Sequence, residues 1–233
     1  MLILAFETSA KAASVARMRE GSLLAQSYQN TGLTHSQTLL SMAENLIQHC
    51  GLTPQQIEAV AVAAGPGSFT GVRIGVAAAK GFAWGRQLPC YGVSTLEAMA
   101  RELGIHQGYV CAVMDARRAQ VYNAVFRVDC GNYTRIREDR AISLQELGED
   151  IQSLDWPVFL VGDGSILCFN TLLEKVTNLV CPPEHKIHQR ASGVALVAER
   201  LIAEGVAGDG STLVPNYLRL SQAERERLAR EQK

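Results

Sequence analysis

The stretch Gly65-Pro66-Gly67-Ser68-Phe69-Thr70-Gly71-Val72-Arg73-Ile74-Gly75-Val76 limits what this chain can fold into more than any other. An apolar run from Ile57 to Ala64 precedes it and reads as a buried strand. A helix-like run follows it to about Gly85. Strand, glycine turn and helix start bring backbone N–H groups up to an anion, or bring one backbone close to another. Apart from Thr70, Arg73 and Lys80, the helix contains only Gly, Ala, Val, Ile, Phe and Trp. Five glycines lie in or beside it (Gly67, Gly71, Gly75, Gly81 and Gly85), each disfavouring helix by about 0.8–1 kcal/mol relative to alanine. Tertiary contacts must offset that cost. On a 100° wheel, Gly71, Ile74, Gly75, Ala78 and Phe82 share the face expected to pack on a sheet. Arg73, Val76, Ala77, Lys80 and Trp84 share the opposite face. That face is apolar except for two long cations, so a second protein surface is expected to cover it.

The chain before and after this stretch alternates strand and helix. Leu2 to Phe6 is an apolar strand ending in Glu7-Thr8-Ser9. Ala12 to Met18 and Ser22 to Tyr28 read as a hairpin turning at Glu20-Gly21. Thr34 is placed to cap a helix from His35 to Cys50, with Leu39, Leu40, Met42, Ala43, Leu46 and Ile47 on one wide arc. After the glycine-rich helix, Leu88 to Val93 reads as a strand and Ser94 or Thr95 caps a helix to Leu103. The second half repeats the order. Tyr109 to Met114 is a strand ending in Asp115. Gln120 to Val128 and Tyr133 to Ile136 form a hairpin. Ser143 to Ser153 is helical, Pro157 to Val161 a strand, and Gly162-Asp163-Gly164 a turn. A helix over Ile166 to Lys175, a short strand at Asn178 to Cys181 and a helix capped by Ser192 follow. Two similar α/β halves are expected, residues 1–104 and 105–233, with mixed sheets flanked by helices. Beyond Pro215-Asn216-Tyr217-Leu218-Arg219 the tail is charged and expected to be solvated.

Composition bounds the function. Hydrophobic residues make up 47% and charged residues 19%, as in ordinary globular domains. With no run of 18 apolar residues and no basic leader, neither a membrane span nor a signal peptide is expected. Six cysteines without CxxC spacing read as reduced thiols of a cytoplasmic protein. A net charge of −1 argues against strong binding of nucleic acid by this chain alone.

No catalytic constellation stands out. The acids Glu7 and Asp115 each end the first strand of a half. They either face one cleft and hold a metal–phosphate, or hydrogen-bond local N–H groups. The glycine turn lacks the lysine of a P-loop and the third glycine of GxGxxG, so phosphate binding and close helix packing both remain open. His35 has Leu39 four residues on, and a metal site needs three or four converging ligands; none is expected here. Gly67-Ser68-Phe69 lacks the GxSxG frame of a nucleophile elbow.

The segments Ala5-Phe6-Glu7-Thr8-Ser9, Gly65 to Gly75, Gly92-Val93-Ser94-Thr95-Leu96, Met114-Asp115-Ala116-Arg117 with Val121-Tyr122, and Pro215 to Arg219 resemble the bacterial TsaB (YeaZ) family nearly end to end. The resemblance implies an actin-like ATPase fold of two ribonuclease-H-like halves. It implies a non-catalytic paralogue of the transferase TsaD, acting with TsaD and the ATPase TsaE. Together these place threonylcarbamoyl on N6 of the adenosine 3′ of the anticodon in tRNAs reading A-starting codons. It further implies a homodimer when alone and a heterodimer with TsaD, both through the first two long helices. Leu39, Met42 and Leu46 with Arg73, Val76, Ala77, Lys80 and Trp84 are the implied interface residues. No cofactor of its own is implied, ATP being used by the complex through its partners, and tRNA being met through the complex. TsaD carries an HxxxH metal pair on its first long helix; the matching positions here are His35 and Leu39. Glu7, Thr8, Ser9, Gly65, Gly67, Ser68 and Asp115 occupy vestigial phosphate-loop positions. Many relatives have Asp where this chain has Glu7, which reaches one methylene further. The alternative is a free-standing actin-fold kinase or ATPase with Glu7 and Asp115 as its acids.

Overall fold

A computed structural model describes residues 1–219; the charged tail expected over 220–233 lies outside the described residues. The first sheet has the order β3-β2-β1-β4-β5, built from β1 (Leu2–Glu7), β2 (Ala13–Arg19), β3 (Ser22–Gln29), β4 (Ala59–Gly65) and β5 (Cys90–Ser94). The second has the order β10-β9-β6-β7-β8, from β6 (Gly108–Asp115), β7 (Gln120–Asp129), β8 (Asn132–Ser143), β9 (Val158–Val161) and β10 (Leu179–Val180). Each begins with an antiparallel meander, and each adds two parallel strands on the other side of its first strand. The repeat inferred from element order is therefore a repeat of topology.

Alternation along β1 and β4 sets the layers. Leu2, Leu4, Phe6, Val60 and Val62 face α1 (His35–His49) and α2 (Phe69–Trp84). Ile3, Ala5, Ala59, Ala61 and Ala63 face the other way and meet α7 (Ala191–Ala203). The alanines let that helix lie close. In the second half, α4 (Leu144–Ile151) and α5 (Ser165–Leu172) cover one face of the sheet, through Leu147, Ile151, Cys168 and Leu172. Leu96, Met99 and Ala100 of α3 (Thr95–Leu103) cover the other. The short α6 (Glu184–Ile187) lies between β10 and α7.

Three expectations change. Helix α7 does not belong to the second half. It packs on the first sheet and crosses α3 so closely that a Cβ on Gly193 would stand 2.2 Å from the Ala98 carbonyl oxygen. Helix α7 thus returns to the half that begins the chain. Ser192 does not cap α7: Arg190 occupies that position, and no side chain makes the bond. Strand β8 runs seven residues beyond Ile136, the charges there being paired. Arg135 meets Glu97 and Asp139, and Arg137 and Arg140 meet Asp150.

The two halves are joined by an ionic hub on α3. Glu97 accepts from Arg101 at 2.9 Å and Arg135 at 3.0 Å, and forms an ion pair with Arg200 at 3.2 Å. Burial alone pushes its carboxyl up, but these arginines prevail and hold it below the usual carboxylate range.

Candidate functional site

The ends of β1 and β6 and the turn after β9 converge on a cleft between the halves, with a volume of about 570 Å³. Ser9, Lys11, Gly67 and Ser68 line it from the first half, and Asp115, Arg117 and Asp163 from the second. Glu7 is fully buried and is not part of the lining. One carboxylate oxygen accepts the Ser9 N–H at 2.5 Å, and the other has no protein partner. Burial pushes the Glu7 carboxyl up to about 7; the Ser9 hydrogen bonds pull it down less, and Asp163 pushes it further up. Burial also raises Asp163. Asp163 accepts the Asp115 N–H at 3.3 Å, and Asp115 accepts the Arg117 N–H at 2.7 Å.

The sequence reading named Glu7 and Asp115 but missed Asp163. Its signal was present: Gly162-Asp163-Gly164 follows β9 as Gly65-Pro66-Gly67 follows β4, so the two turns are counterparts in the repeat.

The glycine turn has the geometry of close packing. The Ser68 N–H donates to the Ser9 carbonyl at 2.6 Å. The Gly71 N–H donates to the Ser68 hydroxyl at 3.3 Å, and the Val72 N–H to the Ser68 carbonyl at 2.9 Å. These N–H groups at the start of α2 are therefore used internally. A Cβ on Gly67 would stand 2.4 Å from the Ser9 oxygen, and one on Gly71 2.1 Å from the Thr8 oxygen. One on Gly75 would stand 2.5 Å from the Thr8 hydroxyl, which donates to the Gly71 carbonyl at 2.8 Å. Glycine recurs at this spacing so that α2 can lie against the turn after β1. Gly65, at φ 120°, meets the Asn216 carbonyl instead.

This contact also fixes the rotation of α2, and it differs from the wheel. Val72, Gly75, Val76, Ala79 and Ala83 face the sheet. Ile74, Ala78 and Phe82, expected there, are only half-buried. An all-apolar helix leaves its rotation open to within a residue, and the Thr8 contact decides it. Val76 is consequently core, not interface. Leu39, Met42 and Leu46, on the inner face of α1, are core as well. Arg73, Ala77 and Trp84 are exposed, Trp84 to 78%. Lys80 is half-buried, its ammonium held by the carbonyls of Leu213 at 3.0 Å and Ser211 at 3.4 Å.

His35 Nε2 lies 2.8 Å from the Ala10 carbonyl, and Leu39 four residues on is buried. Among the described residues no three His, Cys, Asp or Glu side chains converge as a metal site, and no helix is long and apolar enough to cross a membrane.

A family model described as TsaD, tRNA N6-adenosine threonylcarbamoyltransferase, matches residues 29–227. A Bacillus subtilis protein named tRNA threonylcarbamoyladenosine biosynthesis protein TsaB is 33% identical, covering 96% of each chain. The Escherichia coli protein of the same name is 34% identical over 94% of this chain and 95% of its own. The solved structure of YeaZ from Pseudomonas aeruginosa superposes with a TM-score of 0.76 at 26% identity, covering 93% of this chain and 99% of that one. The ROK hexokinase of Thermus thermophilus, at 11% identity and a TM-score of 0.52 over 87% of this chain and 100% of its own, shares the fold alone. Two sheets of one topology around a cleft are the actin-like ATPase fold, and this chain belongs to the TsaB (YeaZ) family within it.

Proposed function

We propose that this chain is a non-catalytic scaffold subunit in the formation of N6-threonylcarbamoyladenosine in tRNA, working with TsaD and TsaE in the cytoplasm. The observation that carries the reading is the near full-length match to proteins named for that biosynthesis, at 33% and 34% identity. Two features of the molecule support the scaffold role. The N–H groups of Ser68, Gly71 and Val72 are spent on Ser9 and Ser68 rather than held free for phosphate. The outer stripe of α2 offers Trp84 to solvent, as a docking face would. ATP is then consumed by the partners, and tRNA is met through the assembly.

Reconstitution tests this. TsaD and TsaE from the same cell, the threonylcarbamoyl-adenylate donor, ATP and unmodified tRNA are combined with and without this chain, and the modified nucleoside is measured by mass spectrometry. Modification is expected only with the chain present, and neither ATP hydrolysis nor modification by the chain alone. Full-rate modification without it would remove the assignment. ATP turnover by the chain alone that Asp115→Ala abolishes would favour the kinase-like reading.

A further inference from the structure

We propose that the segment Ser211–Arg219 is a catch that holds the cleft between the halves shut, seated along the first half and closed on the second by Arg219. This goes beyond the scaffold reading and does not depend on it.

The seating on the first half is multiple. Lys80 of α2 donates to the carbonyls of Leu213 and Ser211. The Leu213 side chain lies over Gly92 of β5, where a Cβ would stand 2.2 Å from its Cδ1. The Asn216 N–H donates to the Ala64 carbonyl of β4 at 2.6 Å. The Tyr217 ring stacks on Phe69 with centroids 4.6 Å apart, and its hydroxyl accepts from Arg73 Nε at 2.7 Å. The chain then crosses the mouth of the cleft, so that Asn216 to Arg219 line it.

The closure on the second half is single. The Arg219 guanidinium donates to the Ala116 carbonyl at 2.7 Å. Among the described residues, no other hydrogen bond joins the side formed by Ser9 to Lys11, Gly67 to Phe69 and this segment to the side formed by Asp115 to Arg117 and Asp163. Ala116 is a firm point to grip. Arg117, Arg118 and Ala119 after it all have positive φ, at 67°, 58° and 54°. Such residues persist only where their surroundings fix them. Here the Ala116 N–H donates to the Gln120 carbonyl at 3.0 Å, and the Gln120 N–H to the Arg117 carbonyl at 3.3 Å. Elsewhere the halves are joined by the chain itself passing through α3 and by the Glu97 hub, which ties α3 to Arg135 of β8 and Arg200 of α7. Helix α3 is therefore the hinge side, and Arg219 closes the opposite side.

Ser9 supplies the probe. It lines the cleft, is fully buried, and its hydroxyl has no hydrogen-bond partner, so Ser9→Cys places a thiol on the cleft floor without removing a bond. The full chain carries this change with Cys50→Ala, Cys130→Ala and Cys181→Ala, which remove the accessible native thiols. Labelling by N-ethylmaleimide is followed residue by residue by peptide mass spectrometry, and fully buried Cys111 reports global unfolding. Arg219→Ala should speed labelling at position 9 about tenfold or more, the worth of a hydrogen bond from a charged donor, with Cys111 unchanged. Arg73→Ala lies outside the cleft lining and acts only through Tyr217. It should speed labelling about fivefold, and the double variant should fall short of the product, because both substitutions release one segment. An unchanged rate in Arg219→Ala, or a rise that Cys111 shares, would overturn the proposal. So would a rise in Arg219→Ala with none in Arg73→Ala, which would mean that the arginine merely covers Ser9, and so would effects that multiply in the double variant.

Discussion

Glu7→Gln isolates the cost of burying a carboxyl beneath the cleft. The folded chain holds this group at about 7, against an ordinary value of 4.5. A shift of that size corresponds to about 3 kcal/mol at 1.36 kcal/mol per unit. The sign follows from proton counting. Between the two values the folded chain keeps the proton that the unfolded chain has lost, so stability falls as pH rises through that window and levels off above it. Roughly 2–3 kcal/mol of the loss lies between pH 5 and pH 8 by the same relation. Glutamine keeps the oxygen that accepts the Ser9 N–H but cannot ionise. Urea unfolding of both proteins across that range should show the variant gaining about 2–3 kcal/mol on the parent as pH rises. Asp163, raised in the same direction, titrates in both proteins and cancels to first order. A difference curve that is flat, or that slopes the other way, would refute the claim that burial governs Glu7.

The glycines of α2 should divide by position. Gly71→Ala drives a methyl against the Thr8 carbonyl and should cost about 3 kcal/mol in denaturant unfolding, the upper end for overpacking. Gly81→Ala meets open space and should stabilise the monomer by about 0.8–1 kcal/mol, readable as a raised urea midpoint. Glu97→Gln should cost about 3–5 kcal/mol by leaving Arg101, Arg135 and Arg200 without their shared carboxylate. Because the arginines hold Glu97 below the usual range, its contribution is present above about pH 4.5 and lost as pH falls through its folded value. The Glu97→Gln deficit should therefore shrink in acid, as equilibrium unfolding at pH 3 and pH 7 would measure.

Much of the fold was legible in the chain. The alternation of Val60 and Val62 with Ala59, Ala61 and Ala63 lies inside a run read as a buried strand, and the order of elements announced the duplication. The charged stretch after Ile136 was not legible as strand, because its arginines look solvated until their acids on α3 and α4 are in place. The candidate site was half legible. Asp115 was found by ending a strand, whereas the turn carrying Asp163 had to be matched with the glycine turn as its counterpart in the repeat. Of the residues expected at an interface, Arg73, Ala77 and Trp84 are exposed, while Leu39, Met42, Leu46 and Val76 are core.

By itself the sequence determined the order of the main strands and helices, though not the full length of β8 or the short α6. Those signals are carried by neighbours within one or two turns of chain. Tertiary structure alone decided the rotation of α2, the return of α7 to the first sheet and the seating of Ser211–Tyr217 along α2. Thr8 and Gly71 are 63 positions apart, and Arg73 and Tyr217 are 144 apart. No local period records contacts at such separations. An all-apolar helix can satisfy its own pattern in several rotations, and only the backbone that comes to lie against Gly71 and Gly75 selects one.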